Sequence, residues 1–456
     1  MIRRPRAATV RLLAGALVGA LVGWLVFGPA WQPAGTSGCA AAGGTLTVAA
    51  GWDESIDQQR ARIIKAWSDN GFRAAFTQIS PVTDDKRVEM AASVGDCPFD
   101  ILILDVAHLA EFAASGAIAE VTLPPGRSFL PRTVEAGVYQ GRQYGVPFAA
   151  DVPLLYSRGD TADLVRRAWS REPVPESRAE GTVIVQLDDY EGASVNLMEA
   201  IGLGNLANFG EEVPGAAALR RAFQPGLSRW ARLYRDDTPG MRRSAGYKER
   251  DSVEEFRLSK GPVVMRNWPS SFGALAAGDR FRTKDRRLSF TIEPVPGGVL
   301  GGSVLAISSG LDDARAAAAR VLVDHLTAPQ TQAELFTCGS YAPVLSESYD
   351  LDTYAGLGFT TADACLNLGD SPDATSYRAE FGVLATTVRD AIGEAGLRPP
   401  IPHYSRFSEV FRRCARAIVT GAVTDVGDDY YGTFSAALSR AATGRLTEGA
   451  ASSVCR

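Results

Sequence analysis

Residues 101–104, ILIL, form an unbroken apolar run between Asp100 and Asp105. Four consecutive apolar positions without alternation read as a short strand buried on both faces. Helical spacing follows at once, with Leu109, Phe112, Ala113 and Ile118 on one side and Gly116 as punctuation. A strand that ends in an acidic residue and turns directly into a helix sets that carboxylate at the carboxyl edge of a sheet. In open α/β folds ligands bind at that edge, so Asp105 is a candidate ligand contact.

The same reading extends along the chain. Gly43-Gly44 open a strand over 46–50 that ends at Gly51-Trp52-Asp53, and a helix is expected over 56–70 with Ile56, Ile63, Ile64 and Trp67 buried. Residues 144–158 form an extended crossing in which Pro147 and Pro153 limit helix. Over 161–206 the order is helix, strand (TVIVQL) and helix, after which the charged stretch 235–254 reads as a solvated loop. Strands follow at 261–265 and 300–307, and a helix with an acidic start at 312–327. The final third is mostly helical, interrupted by RPPIPHY at 398–404. Strands alternating with helices predict an α/β fold with largely parallel sheets.

The N-terminus adds an address. Arg3, Arg4, Arg6 and Arg11 precede an uncharged apolar run over 12–31, and no further charge occurs before Asp53. A run of about 20 apolar residues is near the span of a membrane helix and longer than most signal-peptide cores. Positive charge on the leading flank keeps the start in the cytoplasm and sends the remainder across. Residues 1–42 are therefore a signal peptide or an N-terminal membrane anchor, with Cys39, in the context TSGC, a candidate for lipidation. In either case the body is extracytoplasmic, secreted or attached to the outer face of the membrane.

Composition and cysteine usage agree with export. The chain has 456 residues, 46% hydrophobic and 22% charged with a net charge of −5, which fits a folded body and offers no basic stripe for nucleic acid. Six cysteines without a CxxC pair, and only three histidines, give no metal-site spacing and favour disulfides. If strands 46–50 and 101–104 are parallel neighbours, Cys39 and Cys97 sit at one edge and can bridge. That bridge would compete with lipidation of Cys39. Proximity in sequence leaves Cys338–Cys365 and Cys414–Cys455. No GxSxG, HExxH or GxxxxGK[ST] motif occurs, Gly202-Leu203-Gly204 follows a helical segment, and the acidic run 425–429 lacks calcium-loop spacing. Neither an enzyme nor a bound cofactor or metal is expected.

Six segments carry a family resemblance. FDILILDVAHLAEFAASGAIAEV, YGVPFAADVPLLYSR, DDYEGASVNLMEA, GPVVMRNWPSSFGAL, GGVLGGSVLAISSG and RPPIPHYSRFSEV, in this order, resemble the extracellular solute-binding proteins of sugar-importing ABC transporters, the trehalose/maltose-type branch above all. The resemblance spans about residues 45–445 and implies a two-lobed periplasmic-binding-protein-like fold of type II, with parallel-rich sheets flanked by helices and a ligand cleft between the lobes. It implies lobe one from 45–149 and 295–344, and lobe two from 150–294 and 345–456. It also implies a sugar ligand, a disaccharide or oligosaccharide, ABC permease subunits as partners, and a monomer.

Sugar sites combine carboxylates and amides with ring platforms. On that chemistry Asp105 and Asp151 are hydroxyl acceptors, with Asp53 and Glu191 in reserve. Tyr190 and Trp268 are ring platforms, Asn267 and Arg398 donors, and Tyr404 closes the cleft from the far lobe. Gly301 and Gly302 let backbone amides approach the ligand. His108, one turn beyond Asp105, is a further candidate and stands where relatives often carry Trp, and Ser303 stands where an aromatic is common. The alternative is a membrane-anchored sensor or interaction protein that keeps the two-lobed fold over a degenerate or non-sugar site.

Overall fold

The computed structural model describes residues 44–53, 58–80, 83–92, 99–170, 180–202, 209, 212–236, 239–276, 280–285, 287–339, 341–350, 372–446 and 454–455. The N-terminal segment 1–42 lies outside them, as do Cys39, Cys97 and Cys365, and with them the pairs Cys39–Cys97 and Cys338–Cys365. Among the described residues no helix is long and apolar enough to cross a membrane.

Two sheets organise the body. The first has six strands: β1 (Thr45–Ala50), β2 (Ser68–Asp69), β3 (Phe72–Gln78), β4 (Ile101–Asp105), β7 (Val146–Asp151) and β12 (Gly301–Ile307), in the order β2-β3-β1-β4-β12-β7. A small hairpin of β5 (Val138–Tyr139) and β6 (Arg142–Gln143) stands apart. The second sheet joins β8 (Leu154–Arg158), β9 (Thr182–Ile184), β10 (Val263–Asn267) and β11 (Thr291–Pro294) in the order β11-β8-β10-β9. β1 and β4 are parallel neighbours, which meets the condition set for a Cys39–Cys97 bridge.

Strand direction departs from the expected parallel pattern. β12 runs antiparallel to both β4 and β7, and β8 antiparallel to both β10 and β11. The chain leaves the first sheet at Asp151, enters the second at Leu154, and returns between Pro294 and Gly301. The outgoing and returning strands therefore lie side by side and head in opposite directions, so Gly301 pairs with Asp151 and Pro294 with Leu154. A third segment joins this crossing, where Gly396 N donates to Gly298 O and Leu300 N donates to Gly396 O, each at 2.9 Å.

The uninterrupted apolar run of β4 is explained by two cores. Ile101 and Ile103 pack in one cluster with Ala319, Leu322 and Val323 of the helix Asp313–Leu326. Leu102 and Leu104 pack in the other with Leu109, Phe112 and Ala113. Successive side chains on a strand point to opposite faces, so a strand covered on both faces has no polar position to spare. Burying such a side chain contributes about 1.5–3 kcal/mol. Before the strand, Asp100 takes Arg315 Nε and Nη2 at 2.7 and 2.6 Å and Thr47 N at 2.7 Å, fastening β1, β4 and the 313–326 helix together.

Two local expectations change. Of the helix expected over 56–70, Gln59–Ala66 is helical with Ile64 buried and Ile63 half-buried, Ile56 lies outside the described residues, and Trp67 already has extended backbone because the chain turns into β2 and β3, both absent from the sequence reading. Residues 235–254, read as a loop, contain helix Pro239–Arg243 and the start of helix Glu249–Leu258. The second of these buries only Ser252 and Phe256, which is too narrow an apolar stripe to stand out among its charges. Next to the second sheet, helices Glu191–Ile201, Ala216–Arg235, Tyr404–Thr420 and Asp428–Ala442 share one core with Phe223, Phe407, Phe411 and Phe434. Cys414 in this layer is bridged to Cys455, Cα to Cα 5.1 Å.

Candidate functional site

The carboxyl end of β4 delivers Asp105 to the junction of the two sheets. Its Oδ1 accepts Ala107 N at 2.9 Å, which caps the turn Val106–His108, and also Arg398 Nη2 at 3.0 Å. Arg398 comes from the third crossing segment, and its Nη1 donates to Glu191 Oε1 at 3.1 Å. Glu191 opens the helix Glu191–Ile201 beside the second sheet. One guanidinium thus joins a carboxylate from each side of the crossing, and its side chain is only 5% exposed.

Glu191 is held by further donors. Tyr404 OH donates to Oε1 at 2.6 Å and Ser408 Oγ to Oε2. Ser408 Oγ lies 2.7 Å from Ser194 Oγ, which accepts from Arg412 Nη1 at 3.2 Å. Tyr404, Ser408 and Arg412 are spaced by four residues on one helix, so they form a polar stripe on one face, while Phe407, Phe411 and Cys414 belong to the apolar core.

The electrostatics follow from this packing. Burial pushes the Asp105 carboxyl up, but Arg398, with Lys86, outweighs it and holds the group below the usual carboxylate range. Burial, with Arg398, Arg87 and Lys86 adding to it, drives His108 down to about 3 against the pull of Asp105, so its imidazole is neutral at pH 7. Burial and Glu191 raise Tyr404 well above its ordinary value and keep it a donor. Arg398 is raised: burial works against its charge, and Asp105, Tyr404 and Glu191 overcome it.

A ring cluster adjoins these groups through the Tyr190–Glu191 step. Glu249 Oε1 accepts Tyr190 OH at 2.9 Å and Trp268 Nε1 at 3.4 Å. The Trp268 ring lies on the Arg266 guanidinium, 3.8 Å from its centre, and Arg266 is paired through Nε and Nη2 to Glu199 at 3.0 and 2.6 Å. Both charged partners are fully buried, so the ring rests on a fixed cation. A Cβ added to Gly301 would stand 3.6 Å from Trp268, and Gly301 pairs with Asp151, which places the ring at the crossing.

Of the sequence-predicted residues, Asp105, His108, Glu191, Arg398 and Tyr404 converge on one buried centre, and Tyr190, Trp268, Asp151 and Gly301 on the neighbouring crossing. Three others have different duties. Asn267 is fully buried, donating through Nδ2 to Glu249 O and Ser252 Oγ and accepting Trp268 N, so it fixes the ring instead of offering a donor to a ligand. Gly302 has φ +100°, and a Cβ there would lie 2.1 Å from Ala149 O, so its freedom is used by the close β12–β7 pairing. Gly302→Ala should cost about 1–3 kcal/mol of stability, read from the urea midpoint. Asp53 is buried, accepts Ala61 N at 2.8 Å and meets Tyr341 OH at 3.3 Å, which fastens the first helix.

The sequence reading missed Glu249, Ser194, Ser408, Arg412 and the Arg266–Glu199 pair. The four-residue stripe of Tyr404, Ser408 and Arg412 was the one available signal. Beside Arg398 lies a cavity of about 90 Å³, lined by Val106, Ala107, Leu109, Leu397 and Pro399 among others. Ligand pockets usually measure about 300–1,000 Å³, so this cavity is well below the size of a usual ligand site. A hollow of about 600 Å³ along the helix Ala162–Trp169 shares no residue with this centre.

Residues 67–358 match the family described as bacterial extracellular solute-binding protein. Similar solved structures include the maltose-bound MalE3 of T. maritima, 18% identical, with a TM-score of 0.61 over 88% of this chain and 100% of that one. The GacH receptor of Streptomyces glaucescens GLA.O, solved unliganded and with acarbose, is 16% identical, with a TM-score of 0.60 over 89% and 100%. A solute-binding protein of Thermotoga lettingae TMO bound with alpha-D-tagatose is 16% identical, with a TM-score of 0.61 over 88% and 100%. At these identities the likeness shows the two-lobed fold.

Proposed function

Because the chain belongs to the bacterial extracellular solute-binding proteins, we propose that it captures a sugar, a disaccharide or oligosaccharide, for import by an ABC permease. The observation that carries this reading is the Asp105–Arg398–Glu191 bridge with Tyr404 on it and the Tyr190 and Trp268 rings beside it. Carboxylates and a guanidinium meet sugar hydroxyls with charge-assisted hydrogen bonds of about 1.5–3 kcal/mol each, and rings cover the apolar face of a sugar. Arg398 lies where the third crossing segment meets groups from both sides, so a ligand that shares its donors is felt by both lobes. Closure is then a hinge motion selected by contacts that exist only in the closed state. The protein works as a monomer outside the cytoplasm, exported or anchored by residues 1–42.

A second reading draws on the same bridge. Arg398 joins the two carboxylates directly, and a membrane-anchored sensor or interaction protein would use the lobes in that bridged form. The readings separate on calorimetric titration of the full-length chain with maltose, trehalose and glucose. Capture predicts micromolar to millimolar binding of at least one, weakened about tenfold or more by Asp105→Ala and by Trp268→Ala, the loss of one charge-assisted bond or ring platform. Absent heat with all three, or unchanged affinity in both variants, favours the sensor.

A further inference from the structure

The Glu199–Arg266 pair behind Trp268 is more completely bonded than the groups around it. Arg266 and Trp268 stand two apart at the end of β10, where strand alternation turns both side chains to one face. Glu199 comes from the helix Glu191–Ile201, about two turns beyond the Glu191 that meets Arg398 and Tyr404. Its carboxylate takes the guanidinium through two nitrogens, and the N–H of Val299 on the returning crossing segment donates to it as well. Gln186 Nε2 donates to Arg266 O at 2.7 Å, and its Oε1 faces Arg266 Nη1 at 3.5 Å. Neither Arg266 nor Glu199 leaves a buried nitrogen or oxygen without a partner, whereas His108 and Arg398 both do.

A fully buried ion pair is a poor device for stability. Taking two charges out of water costs about as much as their attraction returns, and uncharged side chains of similar volume often serve as well or better. Burial raises the Glu199 carboxyl above its ordinary value in spite of Arg266 and Val299, so its charged form is held at a net cost. Order is a different matter, since a fully satisfied polar network rigidifies what it touches. What it touches is Trp268. Arg266 lies against one face of the indole at 3.8 Å, Glu249 meets Nε1, and Tyr156 OH donates to the Trp268 carbonyl at 2.7 Å. The ring is half-buried, so its remaining surface is the part left to a ligand. We infer that Glu199 and Arg266 are positioning residues, which hold the Trp268 ring at one angle to the crossing so that it meets a solute as a fixed platform. This rests on the capture reading above and adds the residues that set its platform.

Two variants of the full-length chain test this. The double variant Glu199→Gln, Arg266→Met removes both charges and keeps an acceptor for Val299 N. Arg266→Lys keeps a cation beside Glu199 but loses the planar group against the ring. Fluorine NMR of protein labelled with 5-fluorotryptophan reads the ring directly, with the Trp268 line assigned by its loss in Trp268→Phe. Wild type should give one narrow Trp268 line, and both variants a shifted line that is broadened or split. The double variant should melt within about 3 °C of wild type or above it. It should bind whichever of maltose, trehalose and glucose wild type binds about tenfold weaker or worse. A double variant that does not fold, or that melts more than about 3 °C lower, overturns the proposal, because the pair then serves stability. A Trp268 line unchanged in both variants, or an affinity within about threefold of wild type in the double variant, overturns it equally. If wild type binds none of the three sugars while the line still moves, the positioning role stands and the capture reading falls.

Discussion

Arg398→Ala should lower the stability of the protein by about 3 kcal/mol at neutral pH, more than any single surface change. The variant removes a guanidinium whose side chain is 5% exposed and leaves Asp105 and Glu191 without the cation that bridges them. Breaking a buried pair by deleting one partner costs about 3–5 kcal/mol, and the lower end applies because Asp105 keeps some access to solvent, with 19% of its side chain exposed. Arg398→Lys restores the charge but cannot reach both carboxylates with a planar fork, so it should recover only part of the loss. The urea midpoint measures the first effect. Scattering measures a second, because the bridge joins elements of both sheets and its removal should enlarge the radius of gyration. A midpoint within about 0.5 kcal/mol of wild type would mean that the bridge contributes nothing.

Acid should unfold the protein early, with His108 as the main cause. Its pKa is about 3 in the folded protein against an ordinary 6.5. The unfolded chain therefore binds a proton that the folded chain refuses, and stability is complete above about pH 6.5 and falls as pH drops towards 3. At about 1.4 kcal/mol for each unit, the full window is worth roughly 5 kcal/mol. Asp105, held below its ordinary value, adds a loss of the same sign below about pH 4. Denaturant unfolding at a series of pH values should show this slope in wild type and a much flatter one in His108→Phe between pH 6.5 and 4. Equal slopes in the two proteins would remove His108 as the acid-sensitive group.

Much of this arrangement is legible in the residues, and what is not has identifiable causes. The run 101–104 has no polar position because cores lie on both its faces, so strand β4 and the placement of Asp105 at its end follow from local pattern, whereas the pairing with β1 does not. The direction of β12 does not, since it depends on the chain returning beside its own exit at Asp151. Glu249 was hidden because its helix shows the core only Ser252 and Phe256. Arg398 was a candidate donor by resemblance, but its partners lie 207 and 293 residues away in sequence, and no spacing rule reaches that far. Asn267 and Gly302 had the right chemistry in the right neighbourhood, and the backbone of Trp268 and the carbonyl of Ala149 claimed them first.

Sugar capture is tested most directly by the melting temperature of the full-length chain against a panel of neutral mono- and disaccharides. Ligand at 100 times its Kd stabilises a folded protein by about 2.7 kcal/mol, enough to move the melt visibly. The account predicts that at least one neutral sugar raises the melting temperature and that Trp268→Ala abolishes the shift at the same concentration. A melt that no sugar in the panel moves would contradict it.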